Sequence, residues 1–80
     1  MPPDLGTEEF LLIFGANVER ERLRCKLTQE EVAEQLGISV RTYQRYEQGA
    51  VNVPLGRLRR LKQIFKCEDA DLMRVPEDEK

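Results

Sequence analysis

Apolar positions recur with helical period along most of this chain. From Phe10 to about Cys25, the residues Leu11, Phe14, Val18, Arg22 and Cys25 stand three or four apart and share one face of a predicted first helix. Val32, Ala33 and Leu36 mark the inward side of a second, from Thr28 to about Leu36. Ile38, Tyr43 and Tyr46 are the apolar positions of a third, from Ser39 or Val40 to about Gln48. Leu55, Leu58, Leu61, Ile64 and Phe65 make the stripe of a fourth, whose other side carries Arg57, Arg59, Arg60, Lys62 and Lys66. Ala70, Leu72 and Met73 complete a short fifth, from Glu68 to about Met73. No stretch alternates with the period of a strand, so the pattern predicts an all-α fold. The first helix is richer in apolar residues than one face requires. Phe10, Leu12 and Ile13 point elsewhere, and either cover the bottom of the core or form a contact surface for a second copy.

The punctuation between these stripes sharpens their ends. Thr28 and Glu31 have the spacing of a capping box, in which two side chains satisfy orphan amides at a helix start. Gly37 falls where the second helix should stop, because the left-handed residue after a helix suits glycine. Ser39 can cap the third helix, and Gly49 marks its end. Pro54, with its fixed φ, opens the fourth. Thr7 is a candidate cap for the first, with Glu8 and Glu9 well placed against the helix dipole. The chain divides into an N-terminal arm at 1–9, a domain at 10–74 and an acidic tail at 75–80. Within the domain, residues 27–49 read LTQEEVAEQLGISVRTYQRYEQG. Two short helices joined by a turn of three or four residues form a helix-turn-helix, a unit that places its second helix in the DNA major groove.

Eighty residues allow one domain with one modest core. Hydrophobic residues at 40% and charged residues at 35% suit a small helical domain rather than a disordered chain. The net charge of −2, with a pI near 5.2, argues against nucleic acid as a partner when taken alone. Its distribution argues the other way. Residues 1–39 hold four Lys/Arg against eight Asp/Glu, residues 40–66 hold seven against a single Glu, and residues 67–80 hold two against six. The positive segment opens with the second helix of the motif. With no histidine, the commonest general base and a major zinc ligand are missing. There is no metal-ligand cluster, no Gly-rich phosphate loop and no nucleophile with a base beside it, so neither an enzyme nor a cofactor is expected. The longest apolar run, Phe10 to Phe14, is far short of the ~20 residues that span a membrane. Two cysteines, Cys25 and Cys67, and the lack of a signal peptide point to a cytoplasmic chain with free thiols.

The run LTQEEVAEQLGISVRTYQRYEQG resembles the helix-turn-helix of phage repressor and Cro-type transcription regulators, the lambda-repressor-like or XRE family. The likeness is unbroken from about Phe14 to Gly49 and continues more loosely to Leu72. It implies a compact bundle of five helices in which the third is the recognition helix. It also implies roles for matching positions. Gln29 touches a phosphate from the N-terminus of the second helix, which fits the anion affinity of helix starts. Val40, Arg41 and Arg45 reach base edges, with Thr42 and Gln44 beside them as phosphate or base contacts. Arg22 and Glu47 form an ion pair between the first and third helices. The chemistry of these residues agrees. Val40 offers only apolar contact, most naturally to a thymine methyl, and arginine suits guanine, although one of the two arginines can serve a phosphate alone. Gln44 suits adenine or faces solvent. Pairing Arg22 with Glu47 accounts for a charge on an apolar face and for the lone acid of a basic segment.

The sequence departs from the family at several positions. Glu21 replaces a core leucine, Lys26 a loop glycine, Lys66 the glycine after the fourth helix, and Cys67 a valine. The loop Ala50–Val53 lacks the usual lysines, leaving Asn52, backbone amides and Arg57 to contact phosphate. The expected function is sequence-specific binding of double-stranded DNA by a transcriptional regulator, a repressor above all, acting as a homodimer on a pseudo-palindromic operator. The alternative is a protein-interaction module, antitoxin-like or an adaptor, that keeps the fold without the DNA face.

Overall fold

The computed structural model describes residues 6–76. Five helices follow one another, α1 (Thr7–Arg24), α2 (Gln29–Leu36), α3 (Val40–Gln48), α4 (Leu55–Phe65) and α5 (Asp69–Met73), and no strand occurs among the described residues. α1 packs on α3 and α5, and α2 on α3 and α4. The core they enclose is Phe14, Val18, Val32, Ala33, Tyr43, Tyr46, Leu61, Phe65 and Leu72.

α1 begins earlier than its apolar stripe. The Phe10 amide donates to Gly6 O at 3.0 Å, so the helix takes in Thr7, and Gly6, not Thr7, is the N-cap, without a side-chain cap bond. Part of the stretch read as an arm is therefore helical. Residues 1–5 of that arm and 77–80 of the acidic tail lie outside the described residues. Phe10 stacks beside Phe14, with ring centroids 6.3 Å apart, and helps cover the core, while Leu12 is exposed.

Gly15 lets α1 approach α3 closely. A Cβ there would lie 2.7 Å from Tyr46 O and closer still to Glu47 O, so the two backbones meet where no other side chain fits.

The other face of α1 is polar and nonetheless buried. Asn17 donates both amide hydrogens at the end of α5, to Leu72 O at 2.8 Å and to Arg74 O, just past the helix, at 2.9 Å, and Arg20 donates to Asp71 O. Helix termini leave carbonyls unsatisfied, and side chains of α1 satisfy them here. Glu21 is buried between Arg24, at 2.7 Å, and Arg20, at 3.5 Å. A carboxylate at this core-facing position is tolerated because two guanidiniums flank it. Arg24 also donates to Phe65 O, tying α1 to the end of α4.

α4 departs from expectation at its first residue. Pro54 is the N-cap, so Leu55 occupies the first helical position, beyond the edge of the core, and is 79% exposed. Leu58 and Ile64 pack against the core, and Leu61 and Phe65 lie within it. Cys25 and Cys67 are half-buried and free of disulfides.

Candidate nucleic-acid interface

α2 and α3 are delimited by their own sequence. Thr28 and Glu31 make the reciprocal capping box, with the Glu31 amide donating to Thr28 Oγ1 at 3.0 Å and the Thr28 amide to Glu31 Oε1 at 2.8 Å. Gly37, at φ 73°, ends α2. The turn is three residues, 37–39, and Ser39 Oγ accepts from the Thr42 amide at 3.1 Å to start α3. Gly49, at φ 71°, ends it. Both glycines adopt the left-handed conformation that side chains with a Cβ resist.

The buried side of α3 presents Tyr43 and Tyr46 to the core. Its exposed side carries Arg41, Arg45 and Gln48, with Gln44 half-buried beside them. Positions 41, 44, 45 and 48 are three and four apart and therefore form one face. Val40 and Thr42 are half-buried at the start of the helix, where Thr42 Oγ1 accepts from Ser39 Oγ. Among the described residues neither Arg41 nor Arg45 forms an ion pair, whereas Arg20, Arg22 and Arg24 of α1 all do.

Behind this face lies a buried carboxylate. Glu47 Oε2 accepts from Arg22 Nε at 2.6 Å and from the Tyr43 hydroxyl, and Oε1 accepts from Gln29 Nε2 at 2.9 Å and Arg22 Nη2 at 3.3 Å. Arg22 also donates to Leu27 O, at the start of the motif. Burial pushes the Glu47 carboxyl upward, but the donors Arg22, Tyr43 and Gln29, with the Arg22 charge, outweigh it and hold the group below the ordinary carboxylate range. The same burial, with Glu47 as its acceptor, raises the Tyr43 phenol well above its ordinary value. The hydrogen bond to Glu47 likewise raises Arg22. The one acid of the basic segment is thus turned inward and neutralised, which leaves the outer face of α3 positive.

Gln29 sits at the first position of α2, half-buried, with its amide nitrogen on Glu47 and its oxygen accepting from Gln44 Nε2 at 3.1 Å. The family resemblance places Gln29 and Gln44 near DNA, and the bond between them depends on where α2 meets α3, which no local spacing encodes. Asn52 is exposed in the loop after α3 and borders a shallow apolar groove of about 130 Å³ with Phe10, Leu11, Val53, Leu58 and Met73. Arg57 is half-buried and donates to the Tyr46 hydroxyl at 2.8 Å, which anchors the start of α4 to α3. Gln48 escaped the sequence-derived set, although its i+3 and i+4 spacing from Arg45 and Gln44 was there to be read. The apolar spacing places Tyr43 in the core, and its spacing of four from Glu47 is the sequence signal for their bond. Burial pushes the Cys67 thiol up to about 11, with Glu21 and Asp71 adding to the effect, so it is protonated at neutral pH.

Among the described residues no cluster of three His, Cys, Asp or Glu could hold a metal ion, and no helix is long and apolar enough to cross a membrane. A capped pair of short helices with a three-residue turn, and a recognition-type helix whose outer face is cationic, define the class of helix-turn-helix DNA-binding domains. A family model described as a helix-turn-helix domain matches residues 13–75, from within α1 to beyond α5. The chain belongs to that family. No curated protein matches it.

Proposed function

We propose that this protein is a sequence-specific transcription regulator of the lambda-repressor-like type, a repressor, that inserts α3 into the major groove. The observation that carries the reading is the pair of exposed arginines on α3, free of acidic partners because Glu47 is drawn inward onto Arg22. Arg41 and Arg45 are four apart on one helix face, the arrangement for reading adjacent base edges, and arginine on guanine is the commonest specific contact. Val40 supplies apolar contact to a thymine methyl. Gln29, Thr42, Asn52 and Arg57 flank the helix as phosphate contacts, with the second amide hydrogen of Gln29 left over from its bond to Glu47. One domain of this size touches few bases. Two copies on half-sites about 34 Å apart, in a pseudo-palindromic operator, give the specificity that a single copy lacks.

Selection of bound duplexes from a random pool tests binding, half-site spacing and base preference together. Binding falls steeply with salt, Gln29→Ala weakens it, and Arg41→Ala or Arg45→Ala changes the recovered consensus. Arginine variants that leave both affinity and consensus untouched sink the assignment of α3. The net charge of −2 and the lysine-free loop favour a second reading, an antitoxin-like or adaptor module. That reading requires no measurable binding to random duplex at low salt in a fluorescence anisotropy titration.

A further inference from the structure

The buried network behind α3 has a direction. An ionised carboxylate only accepts hydrogen bonds, so every group facing Glu47 must present a donor. Arg22 and Tyr43 can do nothing else there. Gln29 could offer either end of its amide, and Glu47 compels it to offer nitrogen, at 2.9 Å. Its oxygen is thereby turned toward Gln44, which must in turn offer its own nitrogen, at 3.1 Å. The side-chain oxygen of Gln44 and its second amide hydrogen remain for a ligand.

We propose that Glu47, acting through Gln29, is a positioning residue that fixes the amide polarity of Gln44 and makes Gln44 a reader of adenine. Adenine presents an N6 donor beside an N7 acceptor in the major groove, and an oxygen with an adjacent N–H is the complement of that pair. An unconstrained glutamine can rotate to present either end to either group. One held by Gln29 keeps its acceptor outward, so the selectivity of Gln44 is set two residues away from the base. The inference rests on α3 facing DNA, as concluded above, and separates from it in the test.

The variant of choice is Gln29→Met, which keeps the length of the side chain, removes the amide and leaves Arg22, Tyr43 and Glu47 bonded to one another. Glu47→Gln strikes the network directly but leaves Arg22 without its charge partner, so it is a supplementary variant only where circular dichroism shows it folded. In the free protein, the Gln44 side-chain amide resonances of Gln29→Met shift toward those of solvent-exposed glutamines; unchanged resonances overturn the relay. In duplex selection, Gln29→Met lowers the preference for adenine at one base pair about tenfold, and Gln44→Ala lowers it at the same pair. The double variant loses no more preference than either single one. A phosphate contact alone would weaken every sequence equally and leave the preference intact. A wild-type consensus with Gln29→Met, or additive losses in the double variant, overturns the relay while the DNA-binding conclusion stands. Wild-type protein that recovers no consensus overturns both.

Discussion

Glu47 shows how one residue can serve the core and the surface of α3 at once. Its carboxylate is buried, yet four donors reach it, and together they hold it charged. Because its folded value lies below the ordinary 4.5, the native state binds fewer protons than the unfolded chain as pH falls past that value. The stability it contributes is full above the ordinary value and is lost as pH falls through the folded one. A carbon-detected NMR titration of the Glu47 carboxyl therefore has its midpoint below 4.5, and a midpoint at or above 4.5 would contradict the hydrogen-bond network. Gly15 makes the opposite kind of point, since what matters there is a missing atom. In an exposed helix Gly→Ala stabilises by roughly 0.5–1 kcal/mol. Here the added Cβ meets the carbonyls of Tyr46 and Glu47, and Gly15→Ala lowers stability by about 2 kcal/mol, measured by urea unfolding, because α1 must move off α3.

The ends of the helices repeat one device. After α1, α2, α3 and α4 the chain turns through a left-handed residue, and an amide beyond it bonds back into the last turn: Leu27 to Arg22 O, Ile38 to Ala33 O, Ala50 to Arg45 O and Cys67 to Lys62 O. Two of these residues are Gly37 and Gly49; the others are Lys26, at φ 60°, and Lys66, at φ 54°. The family resemblance put glycine at both lysine positions, and the backbone has kept the geometry that glycine suits. A left-handed non-glycine residue costs about 1–2 kcal/mol, part of which glycine forfeits through its freer unfolded chain. Lys66→Gly should thus raise Tm by a few degrees. Gly37→Ala should lower it by a similar amount, because a Cβ there meets nothing within 4 Å and only the φ penalty acts. Gly49→Ala should lower it further, since its Cβ also comes within 2.8 Å of Leu11 O. Calorimetry that shows no difference between Gly37→Ala and Gly49→Ala would reject the packing role given to Gly49.

Legibility followed the range of the forces involved. The bounds of α2 and α3 could be read because capping and left-handed termination act within a few residues, as Thr28 with Glu31, Ser39, Gly37 and Gly49 display. The face of α3 could be read from spacing. Asn17 could not, because its role is to satisfy carbonyls at Leu72 and Arg74 that only the packed fold brings to it. Leu55 misled because its periodicity is right while its place at the first position of α4 lies past the core. The link between Gln29 and Gln44 was hidden for the same reason as Asn17, since it depends on where α2 meets α3.

At the scale of the whole molecule, the charge balance and the proposed function pull against each other. A net charge of −2 repels DNA at a distance, while the proposed reading has the cationic outer face of α3 attract it at contact. Glu30 and Glu34 are exposed on α2, the helix that packs against α3, and neither forms an ion pair among the described residues. Their effect on a duplex at α3 is long-ranged and so depends on screening, with a Debye length of about 30 Å at 0.01 M salt and about 8 Å at 0.15 M. Replacing both, as Glu30→Gln with Glu34→Gln, should strengthen binding to any duplex several-fold at low salt by anisotropy titration, with the gain fading as salt rises. The recovered consensus should not change, because neither residue lies on the face that carries Arg41 and Arg45. A gain that persisted at high salt, or a shifted consensus, would mean that these acids touch the bound duplex, and the orientation of α2 relative to DNA would have to be redrawn.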